Sequence, residues 1–91
     1  MAVTVNSLIS SCPAQVSDAS GVSSGLTWLA LSAAWANDNM TTYHHDVQPI
    51  KTRCYTYFDL IKLSTTDYVD VNNKLMHIKD MLTAIQTLDQ N

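Results

Sequence analysis

"NNKLMHIKDMLTAIQ", residues 72–86, sets Leu75, Ile78, Leu82 and Ile85 at alternating intervals of three and four. That spacing lines four aliphatic side chains along one face of an α-helix. The alternation continues backward through Val47, Ile50, Cys54, Tyr57, Ile61, Ser64, Tyr68 and Val71, and only Ser64 breaks its apolar or aromatic character. The pattern is a heptad seam. It predicts a helix over 47–88, roughly 60–65 Å long at 1.5 Å per residue. Its weak point is "STTDYVDVNN", residues 64–73, where β-branched and Asn/Asp residues lower helix propensity. Ser64 with Asp67 also has the form of a capping box, so the alternative to a continuous helix is a kink or short break in 64–73. Asp70 and Lys74 stand in the favourable order for an i,i+4 ion pair, which supports continuity.

Upstream, Asp46 is the natural N-cap of this helix, and Pro49 follows within its first turn, where a missing N–H costs little. Residues 39–46 then form a loop rich in turn-forming side chains. Residues 22–38 read as a first helix, with Ser23 or Ser24 as its cap. Trp28, Leu31 and Trp35 share one face, and no charge occurs until Asp38. Such a helix needs neighbours on more than one side. Residues 1–21, rich in Ser and interrupted by Pro13, read as a flexible or extended arm. The expected fold is all-α: one domain, a helical hairpin of a short and a long helix, with an extended N-terminal arm.

The short helix covers about half of the seam. A second stripe of Phe58, Leu60, Leu63, Val69, Met76 and Met81 lies beside it. A lone hairpin would leave this surface wet, and apolar patches of that extent mark interfaces. The seam is therefore expected to bind further copies of the chain. Its self-association residues are Trp28, Leu31, Trp35, Ile50, Cys54, Tyr57, Ile61, Tyr68, Val71, Leu75, Ile78, Leu82 and Ile85.

The composition narrows the function. The chain is 46% hydrophobic and 14% charged, with a net charge of −3. All eight acids are Asp, and all five bases lie at or after Lys51. No basic stripe exists for nucleic acid to bind. No run reaches the ~18 apolar residues of a transmembrane helix. "LTWLALSAAWA", residues 26–36, starts late and has no preceding Lys or Arg, so it reads as a buried helix and not as a cleavable signal peptide.

Chemistry is scarce. "HHD", residues 44–46, has metal-ligand residue types, but adjacent side chains seldom converge on one ion and no His/Cys spacing surrounds them. On one continuous helix Cys54 and His77 would lie about 35 Å apart, too far to act as nucleophile and base. Cys54 falls on the apolar stripe, so it and Cys12 read as small buried hydrophobes instead of a disulfide pair. "NMT", residues 39–41, fits the glycosylation acceptor pattern and reads equally as ordinary loop. Neither a catalytic role, nor a metal, nor a cofactor is expected.

One resemblance concerns residues 68–86, "YVDVNNKLMHIKDMLTAIQ". A Tyr near an Asn, a basic–Asp pair and a short apolar run resemble the C-terminal helix of needle subunits from type III secretion systems. Here these are Tyr68, Asn72 or Asn73, Lys79–Asp80 and "MLTAI". The resemblance implies a polymerising hairpin that stacks into a hollow tube, with the C-terminal helix lining the channel. It also implies many copies as partners, other secretion-apparatus proteins beside them, and a secreted or cell-surface location. This chain departs from the family in its loop, "NDNMTTYHHDVQP", in extra residues before the motif, and in the trailing "TLDQN". The alternatives are a small helical adaptor or chaperone that binds a partner helix, and a phage or pilus-like filament subunit.

Overall fold

The computed structural model describes residues 3–63 and 67–90. It contains four helices among those residues: α1 (Val5–Ser11), α2 (Ala19–Asp38), α3 (Met40–Leu63) and α4 (Tyr68–Gln90). The all-α class is as expected, but the arrangement is a bundle in place of an arm and hairpin.

The arm contains a helix. Thr4 caps α1 by accepting a hydrogen bond from the Ser7 N–H at 3.1 Å, and the Ser7 hydroxyl accepts from the Thr4 N–H at 3.1 Å. The pair is a capping box closed by Ser instead of Glu. Val5 and Leu8, three residues apart, turn the apolar side of α1 into the core. Pro13 then ends the helix: the residue before a proline is pushed to extended geometry, and Cys12 has φ −59°, ψ 128°. The chain runs on to Asp18, whose carboxylate accepts from the Gly21 N–H at 2.7 Å and starts α2. The first long helix thus begins at Ala19 and not at residue 22, with Asp18 in the role expected of Ser23 or Ser24.

The expected loop over 39–46 is mostly helical. Asn39 caps α2 through its own backbone N–H and through its side-chain amide, which donates to the Trp35 carbonyl at 2.9 Å. Helical geometry resumes at Met40 and breaks once, at Tyr43 (φ −128°, ψ 39°). Asp46 therefore lies inside α3, three residues past that kink, and is not its N-cap. Pro49 is likewise inside α3. Proline has no N–H to donate to the carbonyl of His45, four residues back, and His45 is exposed.

The continuous helix over 47–88 is the largest correction. Asp67 is not helical, and its carboxylate accepts from the Asp70 N–H at 3.1 Å, as an N-cap does. The capping role given to Ser64 lies outside the described residues. α3 and α4 fold back on each other: the Tyr57 hydroxyl sits 2.6 Å from His77 Nδ1, a pair that would be about 30 Å apart on one helix. The longest dimension is 39 Å. The chain changes direction between Leu63 and Tyr68, and burying both halves of the seam against each other favours that change.

The seam becomes the core of one chain. Val47, Ile50, Cys54 and Ile61 from α3 meet Val71, Leu75, Ile78, Leu82 and Ile85 from α4, each no more than 3% exposed. Trp28, Leu29, Ala33, Trp35 and Ala36 of α2 cover them, and Leu8 of α1 and Val16 complete the cluster. α2 packs mainly along α3, and α1 mainly against α4. Gly25 allows the close passage of α4, because a Cβ there would stand 3.1 Å from Leu75 Cδ1. The Trp28 indole N–H donates to the Leu8 carbonyl at 2.8 Å. Asn72 anchors the link between α1 and α2, accepting from the Val16 N–H at 2.8 Å and donating to the Val16 carbonyl at 3.0 Å and to the Tyr68 carbonyl at 2.8 Å. Asp70 and Lys74 form the expected i,i+4 ion pair.

Candidate association surface

Of the residues expected to meet a second copy, Trp28, Trp35, Ile50, Cys54, Ile61, Val71, Leu75, Ile78, Leu82 and Ile85 are buried within the chain. Tyr57 and Tyr68 are half-buried. Leu31 alone lies at the surface, 43% exposed. The seam reading is corrected accordingly, because side chains already packed in one core are not free for another molecule. The second stripe fares differently. Leu60, Leu63, Val69 and Met76 are at least half exposed, while Phe58 and Met81 pack against the core.

The surface that stands out is the outer face of α2. Ser23, Ser24, Thr27, Ala30, Leu31 and Ala34 are exposed along it, and the sequence from Ala19 to Asn37 carries no charge. Two grooves border this face. Toward α3 lies a half-open hollow of about 430 Å³, floored by Leu29, Ala33 and Cys54 and walled by Ala30, Ala34, Tyr55, Phe58 and Asp59. Its lining is largely apolar, and the Tyr55 ring on its rim is 57% exposed. Toward α1 lies a shallower groove between Ser11 and the Ser20, Ser23, Ser24, Thr27, Trp28 and Leu31 side of α2. The sequence reading passed over Ala30, Ala34, Tyr55 and Asp59. The absence of charge from 19 to 37 is a signal for Ala30 and Ala34, whereas Tyr55 and Asp59 lie on α3 and carry no such signal.

Among the described residues, the His and Cys side chains lie in separate places. The rings of His44 and His45 meet edge to face, 5.5 Å apart, on exposed backbone. Among the described residues, no group of three or more His, Cys, Asp or Glu side chains is placed to hold a metal ion. Tyr57, not Cys54, is the partner of His77, and the Lys74 ammonium lies 5.6 Å from the centre of the Tyr57 ring. This cluster ties α3 to α4 at the surface. The Ser32 hydroxyl is buried with no hydrogen-bond partner, and it lines neither groove. Cys12 and Cys54 are free thiols. Burial raises the Cys12 thiol above its ordinary range, with Lys79 opposing the shift.

Burial also pushes the Cys54 thiol up to about 12 from an ordinary value of 9.0. A nucleophilic thiolate needs the opposite environment. The shift has a consequence for stability. The folded chain holds the Cys54 proton more tightly than the unfolded chain does, so this contribution is intact below pH 9 and is lost as pH rises toward 12. The slope is about 1.4 kcal/mol per pH unit for one such group. Wild type is therefore expected to lose about 1–2 kcal/mol more than Cys54→Ala between pH 8.5 and pH 10.5. Paired urea titrations at the two pH values measure this difference, and parallel losses in the two proteins would contradict a buried thiol at position 54.

Compared with known proteins, the chain matches no family model, no curated protein and no solved structure.

Proposed function

We propose that this chain is a non-catalytic structural subunit that works by associating with copies of itself. The observation that carries the reading is the uncharged outer face of α2 beside the apolar hollow shared with α3. A small acidic domain gains solubility from charge spread over its surface, and here one helix length is left without any. The resemblance of residues 68–86 to needle subunits points in the same direction, toward a protein whose work is assembly. The route through the 47–85 seam, which the apolar spacing suggests, is replaced by the α2–α3 surface, because the seam is core. A place in a secretion-related filament, and export without a cleavable signal peptide, belong to the same proposal. No helix among the described residues is long and apolar enough to cross a membrane.

Sedimentation equilibrium of the purified chain over about 5 μM to 1 mM tests the reading. The mass is expected to rise above that of the monomer with concentration. A single monomeric species across the whole range would overturn it. A heterologous adaptor is the competing outcome, and it predicts a discrete small species whose mass does not climb with concentration.

A further inference from the structure

The α2 face combines three properties. It is flat and lined with small side chains at Thr27, Ala30 and Ala34. It carries a hollow and, on the rim of that hollow, a protruding ring, Tyr55. The α2 stretch from Ala19 to Asn37 bears no charge in a chain of net charge −3; Asp18 and Asp38 stand at its two ends, and Asp59 of α3 lies in the hollow's wall.

We infer that two copies pair face to face through α2, antiparallel, about a two-fold axis near Ala30. The inference rests on the self-association reading and names the surface and symmetry of one contact; a two-fold contact closes on itself, so a filament would need a second, different contact between such pairs. In such a pair a two-fold axis perpendicular to the helices sets the α3 flank of one copy against the α3 flank of the other. Each Tyr55 then stands over the other copy's hollow, above Leu29, Ala33 and Phe58. A protrusion and a recess on one patch are what an isologous contact requires. Alanines at 30 and 34 let the two helix backbones approach closely.

Charge selects a second copy as the occupant. Two chains of the same acidic sign repel over most orientations, and the α2 face is where they meet with least opposition. A strongly basic partner would be drawn to aspartates, and Asp59 is the one acidic side chain in the hollow's wall. The size also suits a modest dimer. A 20-residue helix is about 30 Å long, and with the α3 flank it offers roughly 600 Å² per copy, somewhat below the ~800 Å² per partner of a standard interface. The pair tightens as salt screens the net repulsion between two chains of charge −3.

The test uses the full chain and two variants at the axis, Ala30→Glu and Ala30→Lys. Position 30 is exposed on a helix, so both are expected to fold with native circular dichroism. Sedimentation is expected to show each variant alone dimerising at least tenfold more weakly than wild type. An equimolar mixture of the two is expected to recover a dimer, because position 30 of one copy faces position 30 of the other. Raising salt from about 20 to 500 mM is expected to strengthen the wild-type dimer. If wild type self-associates and both variants do so equally well, the α2 pairing is wrong while self-association stands. If both variants are weakened and the mixture shows no recovery, the two-fold arrangement is wrong. If wild type is monomeric throughout, self-association fails and the pairing with it.

Discussion

Ile78→Asp is expected to leave the chain unfolded in water at 25 °C. Ile78 is fully buried at the centre of the α4 face, between Leu75 and Leu82. The substitution removes about 2–3 kcal/mol of apolar burial. It also places a carboxylate where the buried neighbours are aliphatic, and an unpaired charge in such a place costs several kcal/mol more. Domains of about this length have roughly 5–15 kcal/mol of stability in total, so the loss consumes most or all of it. Far-UV circular dichroism measures the outcome directly. A variant that kept native helix content and merely failed to associate would return Ile78 to the surface and restore the seam as an interface. Leu31→Asp is the matched control: at an exposed site on α2 it is expected to change stability by only about 0.5 kcal/mol.

The second large effect concerns a polar residue. Asn72→Ala is expected to cost about 2–4 kcal/mol. One side-chain amide holds both backbone groups of Val16, a residue only 1% exposed, and also bonds the Tyr68 carbonyl. Removing it strands a buried N–H and a buried C=O, and each unsatisfied group costs about 1–3 kcal/mol. The damage should be local before it is global. Amide exchange in α1 is expected to accelerate most, because the Val16 anchor fixes the link that returns α1 to α4. Asn72→Asp should be no better, since a carboxylate supplies an acceptor for the Val16 N–H but faces two carbonyls. If Asn72→Ala melted like wild type, the amide would not be holding the link, and water would be replacing its bonds.

The buried set was legible because it is periodic. Ile50, Cys54, Ile61, Val71, Leu75, Ile78, Leu82 and Ile85 were picked by spacing alone, and each is core. What spacing does not report is which molecule supplies the opposite face. A three-four alternation reads the same whether the residues form one long helix or two helices folded together, provided the break preserves the phase. The β-branched and Asn/Asp content of 64–73 marked the weak point but not its consequence, which depends on what the two halves gain by packing. The helix at Val5–Ser11 escaped notice for another reason. Thr4 and Ser7 are the residue types of loops as well as of caps, and α1 is too short to show a period. The role of Asn72 is purely tertiary, since its partner Val16 lies 56 residues away. The α2 face is legible only in part: lack of charge asks for neighbours on more than one side, but it does not say that Trp28 and Trp35 turn inward while Leu31 stays at the surface.

The packing of α1 sets an order of events during synthesis. Its seven residues are made before α4, yet Gln86 bonds Asn6, and Asn72 holds the link that follows α1. A helix this short has little structure of its own in water. It must therefore wait until α4 has been translated before it finds its site. Until then the apolar faces of α2 and α3 have only each other for cover. In that interval a nascent chain exposes Leu75-facing surface around Gly25 and Trp28, and neighbouring chains on one message offer the same unfinished surface at high local concentration.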